Sequence, residues 1–242
     1  HLLELPSGQP RWKRDVRCAT DSTSEPLAFS ADGRLLAANS SRQITVWNVA
    51  DGVPIGPPQP SPTDNMQVLG WSADLSLGVR SIEDGEGLEV FHVAEGTTVF
   101  KFPGDDVGVI ATFVGGAHDL AVERRRGLLE IQVFDVDAKE LSHVFEGHSE
   151  PLFGLESSAD GSTLVGRSAN RVWVWDGRTG KLHDRCRGPF HVTGLEFAPR
   201  GDLIAASGTT QILNRLTACG DRQMEVFGTR LWNRTTSAML HA

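Results

Sequence analysis

A repeat of about 42 residues constrains this chain more than any other feature in it. Phe29-Ser-Ala-Asp-Gly-Arg-Leu-Leu, Trp71-Ser-Ala-Asp-Leu-Ser-Leu, Phe113-Val-Gly-Gly-Ala-His-Asp-Leu, Ser157-Ser-Ala-Asp-Gly-Ser-Thr-Leu and Phe197-Ala-Pro-Arg-Gly-Asp-Leu-Ile fall in one register. A period of this length means that one supersecondary unit recurs and buries its apolar faces against copies of itself.

Each unit reads as a short strand ending in a bulky residue, a small polar turn of the Ala-Asp-Gly kind, and a second apolar strand such as 35–38 or 203–206. A second landmark follows, an aromatic at the end of a β-branched strand: Ile44-Thr-Val-Trp47, Leu88-Glu-Val-Phe91, Ile131-Gln-Val-Phe134 and Val172-Trp-Val-Trp175. Alternation places Ile44 and Val46 on one face and Thr45 and Trp47 on the other. A turn and a fourth apolar stretch come next, clearest at 99–102 and 141–145. Four short strands per unit make one blade of a β-propeller.

At these residues the chain resembles the WD-repeat (WD40) family, whose blade signature is Gly-His followed, after an interval, by Trp-Asp. Residues 147–188 carry it best, with Gly147-His148 ahead of Trp175-Asp176 and Ala159-Asp160-Gly161 between. Elsewhere Trp-Asn stands at Trp47-Asn48 and Trp232-Asn233, and Phe91 and Phe134 replace Trp. The resemblance implies an all-β propeller of four-stranded antiparallel blades. It also implies a structural network of His148, Ser168 and Trp175, with Asp176 completing the Trp-Asp pair. Ala169-Asn170 occupy the turn where the family carries the network's Asp.

The units expected are a half-blade at 1–17 and blades at about 23–60, 65–104, 107–148, 151–188 and 191–242. The last is long; we expect 211–228 to be an inserted excursion and Leu231-Trp232-Asn233 the true third strand. The alternative register gives 211–228 the third and fourth strands. Propellers of this family commonly close with seven blades. With five units and a half, we expect a piece of a longer ring, with blades before His1 and room for more after Ala242.

Composition bears mainly on what the chain is not expected to do. A formal charge of −8 argues against the basic footprint that nucleic acid needs. Cys18, Cys186 and Cys219 form no C-x-x-C pair and no disulfide framework, which points to a reducing, cytoplasmic setting. No apolar run is long enough to span a membrane. His143 and His148 have no Cys or His at ligand spacing, so no metal is expected. The sequence holds no nucleophile elbow, phosphate loop, dinucleotide fingerprint or His-Glu-x-x-His, so neither catalysis nor a cofactor is expected. Asn39-Ser-Ser41 and Asn233-Arg-Thr235 fit the glycosylation pattern, which is short enough to arise by chance.

In the family, the loops joining second to third strands and those leading into each blade share one face, and that face often receives partners. Mapped onto this chain, that face carries Arg124-Arg125-Arg126, the one compact basic cluster amid acids. The cluster suits an acidic or phosphorylated segment. The expected function is a non-enzymatic scaffold that presents blade loops to a protein or peptide partner. The alternative is a sensing or recruiting propeller of a larger signalling enzyme, because Gly56-Pro57-Pro58 resembles linkers in bacterial multidomain proteins that carry a Ser/Thr kinase. A third reading, chemistry in the central channel, is disfavoured by apolar Leu27, Val68, Val109 and Val192 on the first strands.

Overall fold

The repeated Ser-Ala-Asp turn shows how so short a motif can set a sheet. In residues 30–33 the Ser30 hydroxyl donates to Asp32 Oδ1 at 2.6 Å and accepts the Leu35 N–H at 2.9 Å, while Asp32 Oδ1 accepts the Arg34 N–H at 3.0 Å. Ser72 and Asp74, and Ser158 and Asp160, make the same bonds. Each serine is buried, so its hydroxyl satisfies a backbone donor that water cannot reach. The fourth turn residue has positive φ, a conformation glycine adopts freely: Gly33 and Gly161 fill it in two turns, but Leu75 takes it at φ 59° in the third.

The computed structural model describes residues 2–3, 6–14, 27–39, 43–60, 68–82, 87–103, 107–114, 118–124, 129–169, 171–187, 191–197, 203–213, 223–233 and 239–241. Among these the regular elements are all strands. A ribbon of β1 (Leu2–Leu3) and β2 (Pro10–Trp12) comes first. Sheet I follows, with β3 (Leu27–Phe29), β4 (Leu35–Asn39), β5 (Gln43–Asn48) and β6 (Gln59–Pro60). Sheet II has β7 (Val68–Trp71), β8 (Leu77–Ser81), β9 (Gly87–His92) and β10 (Thr98–Pro103). Sheet III has β11 (Val107–Val114), β12 (Asp119–Arg124), β13 (Glu130–Asp135) and β14 (Glu140–Phe145). Sheet IV has β15 (Gly154–Ser157), β16 (Thr163–Arg167), β17 (Arg171–Asp176) and β18 (Leu182–Arg187). Sheet V has β19 (His191–Phe197), β20 (Leu203–Leu213), β21 (Gln223–Asn233) and β22 (Met239–His241).

Every sheet is an antiparallel meander in chain order. The third-strand aromatic keeps one register throughout, with pairs Leu36↔Trp47, Gly78↔Phe91, Leu120↔Phe134, Leu164↔Trp175 and Ile204↔Trp232. In sheet II the ring of Phe91 lies across Gly78, where a Cβ would come within 2.5 Å of it. The pairing of Ile204 with Trp232 puts Leu231-Trp232-Asn233 in the third-strand position. The stretches 209–213 and 223–227 lengthen the β20–β21 hairpin, whose tip at 214–222 lies outside the described residues.

Consecutive sheets stack face to face because each second strand alternates between its two neighbours. Ala121, Ile131 and Val133 of sheet III pack against Leu155, Leu164, Trp173 and Trp175 of sheet IV. Leu120, Val122, Ala111 and Phe113 turn the other way, onto Val79 and Val90 of sheet II. Sheets I and II join through Ala37 and Ile44 against Val68, Trp71, Leu75 and Phe91, and sheets IV and V through Val165 and Val172 against Val192, Leu195 and Ile204. First strands β7, β11, β15 and β19 lie side by side, so the sheets are blades set around a common axis, the arrangement of a β-propeller. Of the first-strand residues named from sequence, Val68 and Val192 are buried, Leu27 is 56% exposed and the Val109 side chain lies outside the described set. Asn39 is 2% exposed on β4, which closes that glycosylation pattern to modification in the folded chain.

Candidate protein-interaction face

The ends of sheets III and IV carry the best-described loop surface. Residues 146–153 lead from β14 into β15, and Ser168 and Ala169 join β16 to β17. The Leu152 side chain is fully buried and its N–H donates to Glu123 Oε1 at 2.7 Å, while the Phe153 N–H donates to the Arg167 carbonyl at 2.7 Å. Two backbone anchors in a row thus pin this loop to both neighbouring strands.

Of the four residues expected to form a blade network, the structure brings three close together and places the fourth elsewhere. His148 is buried between two indoles, edge-on to Trp175 at 5.7 Å and to Trp173 at 6.4 Å. Its Nε2 lies 3.9 Å from Glu123 Oε1, and neither ring nitrogen has a hydrogen-bond partner among the described residues. Burial pushes the His148 pKa down, against the smaller opposing pull of the Glu123 charge. The Trp175 indole N–H donates to the Glu146 carbonyl at 2.9 Å. Ser168 accepts from Trp173 Nε1 at 3.3 Å and donates to Glu150 Oε2 at 2.8 Å. Asp176 sits at the opposite end of β17, where Oδ1 accepts the N–H groups of Arg178 and Thr179 and the Thr179 hydroxyl. Asn48 Oδ1 caps the matching turn of sheet I by accepting the Ala50 N–H, which explains why Trp-Asn and Trp-Asp serve alike.

The polar chain on this surface therefore runs Trp173, Ser168, Glu150, Arg171. Arg171 closes it with a 2.9 Å ion pair to Glu150 and lies 5.6 Å over the Trp173 ring. Sequence reasoning placed Glu150 on the loop face without its bonds to Ser168 and Arg171, and missed Arg171 and Glu123. The signal for Trp173 was present, since residues two apart on a strand share a face and Trp173 and Trp175 must enter one core together. Arg124 ends β12 half-buried beside Glu123; Arg125 and Arg126 lie outside the described residues. Arg167 reaches the Val192 carbonyl at 3.2 Å, and burial lowers its pKa against the opposing charge of Glu156. Among the described residues no cluster of His, Cys, Asp and Glu is disposed to hold a metal, and no helix is long and apolar enough to cross a membrane.

A family profile, the WD domain, G-beta repeat, matches residues 139–176, the span that carries this polar chain and both of its tryptophans. Residues 139–176 therefore read as one WD repeat. The chain's curated relatives include the U3 small nucleolar RNA-associated protein 21 homolog of Schizosaccharomyces pombe, 34% identical over 83 residues, which are 34% of this chain and 9% of that protein. Another is the Retinoblastoma-binding protein 5 homolog of Drosophila melanogaster, 29% identical over 97 residues, or 40% of this chain and 18% of that protein. The chain thus spans a small part of the length of the relatives it matches. Among solved structures, the Kuenenia stuttgartiensis hydrazine synthase superposes with a TM-score of 0.68 at 15% identity, over 92% of this chain and 66% of that one. The Mitotic Checkpoint Complex superposes at 0.65 and 23% identity, over 93% and 67%. At these identities the two structures speak for the fold alone.

Proposed function

We propose that this WD-repeat chain is a non-enzymatic interaction platform that receives a protein or peptide partner on the loop face of sheets III and IV, with Arg124-Arg125-Arg126 as anchor for an acidic or phosphorylated segment. Phe153 carries the reading. Its ring is 49% exposed although its own N–H and that of Leu152 are both anchored, so a rigid loop holds an aromatic out to solvent. An aromatic on a pre-ordered loop suits a binding hot spot, because less conformational entropy is left to lose on association. Glu150 and Arg171 already neutralise each other there.

Affinity capture with the wild-type chain, with Phe153→Ala and with Arg124, Arg125 and Arg126 reversed to Glu tests this. Truncating a hot-spot aromatic costs about 2 kcal/mol or more, on the order of a 30-fold loss in affinity. Partners retained at wild-type levels by both folded variants would overturn the assignment.

A further inference from the structure

On the opposite face lie the hairpin turns, and one of them holds a histidine between two carboxylates. His118 precedes β12 in the first turn of sheet III. Its Nδ1 lies 3.0 Å from Asp137 Oδ2, in the turn between β13 and β14 of the same sheet. Its Nε2 lies 3.1 Å from Ser76 Oγ and 3.5 Å from Asp74 Oδ2, in the first turn of sheet II. Ser76, His118 and Asp137 stand in the order of a nucleophile, a base and an acid. The Ser76 hydroxyl donates to Asp74 Oδ1 at 2.8 Å, however, and the Ser76 N–H is taken by the same oxygen at 3.0 Å. The position thus lacks both a nucleophile whose proton faces the base and a backbone donor for an oxyanion. What remains is a cation site between anions on two different blades.

We propose that His118 is a proton-operated clamp that ties the first turn of sheet II to sheet III when protonated and releases it when neutral. An imidazolium donates from both nitrogens, from Nδ1 to Asp137 and from Nε2 to Ser76 Oγ, with the Asp74 carboxylate paired to the same Nε2 at 3.5 Å. A neutral ring keeps one N–H, which Asp137 holds at the shorter distance, and then turns the Nε2 lone pair toward the charge of Asp74. Partial burial works against the charged ring, but the hydrogen bond and charge of Asp137, followed by those of Asp74, outweigh it and hold the His118 pKa above its ordinary 6.5. Burial likewise works against Asp74, yet the Ser76 N–H, the Ser72 and Ser76 hydroxyls and His118 hold it at about 2, so it stays an anion throughout the range in question. The surrounding titratable groups on sheet III are Asp119, Asp135, Lys139 and His143. The Asp119 carboxyl is pushed up by burial and by the charges of Asp135 and Asp137, against the pull of His143. His92 and Glu95 flank the sheet II side, where the Val93 N–H donates to the Ser76 carbonyl at 2.9 Å. The two groups paired with the ring, Asp74 and Asp137, are both anions, which favours its protonated form.

Because the folded-state pKa is raised, the clamp's contribution is complete below pH 6.5 and disappears as pH rises through the raised value. The test is a histidine-ring NMR titration of the full chain, with His118→Gln for assignment and with Asp74→Asn and Asp137→Asn alongside. Amide exchange across residues 72–76, normalised to intrinsic rates, accompanies it at pH 6 and pH 8.5. The expected result is a His118 midpoint above 6.5 that falls in both Asn variants, with slower exchange at pH 6 in the wild type but not in His118→Gln. A wild-type midpoint at or below 6.5, or equal protection at the two pH values, would overturn the proposal. The wild-type titration decides this even if a variant fails to fold.

Discussion

His148 is held by shape. Its ring fits edge-on between Trp173 and Trp175 while both nitrogens stay buried and unpartnered among the described residues. A buried polar atom without a partner costs about 1–3 kcal/mol, and an apolar residue of similar shape avoids that cost. We expect His148→Phe to stay within about 1.5 kcal/mol of wild type near pH 7.5, the relief being offset by the bulk of the larger ring. Because burial depresses the His148 pKa, the neutral ring is favourable above 6.5 and the wild type loses stability as pH falls below that value. Thermal unfolding at pH 7.5 and 5.5 should therefore show the variant gaining on the wild type at the lower pH, and a wild-type advantage that grows toward pH 5.5 would refute this. Gly147-His148 and Trp175-Asp176 were legible as a blade signature. Which atom bonds to which was not, because a strand pattern fixes faces while hydrogen bonds depend on side-chain rotamers. Ser168 has Trp173 and Glu150 within reach, and the structure uses both.

Leu75 shows tertiary packing overriding local preference within a turn. A non-glycine residue at φ 59° is strained by about 1–2 kcal/mol. Its side chain is only 4% exposed and joins Trp71, Phe91 and Ile44 between sheets I and II, where burial of a leucine is worth about 1.5–3 kcal/mol. Packing wins, and Leu75→Gly should be less stable by roughly 1–2 kcal/mol even though it removes the strain. Urea unfolding checks this: a variant as stable as wild type, or more so, would mean that the turn and not the core governs the position. The sequence announces these turns through Ser-Ala-Asp and the third strands through their terminal aromatic. It announces sheet V less well, because β20 and β21 run on past the repeat length and periodicity does not say whether the extra residues extend old strands or form new ones.

Four-stranded sheets stacked through alternating apolar faces leave only loops and turns free to vary, so the molecule offers two distinct faces. On one, Glu150 and Phe153 belong to a pinned loop and Glu150 pairs with Arg171; on the other, Asp74, His118 and Asp137 bridge neighbouring blades. The repeat made the blade architecture legible because every blade must bury the same faces. Partner choice was not legible, since loop side chains escape that constraint and carry no period. The most direct test of the platform assignment is cross-linking mass spectrometry of the chain bound to a captured partner. Cross-links concentrated at 124–126 and 146–153 are predicted, and cross-links confined to the turns at 30–33, 72–76, 136–139 and 158–161 would contradict it.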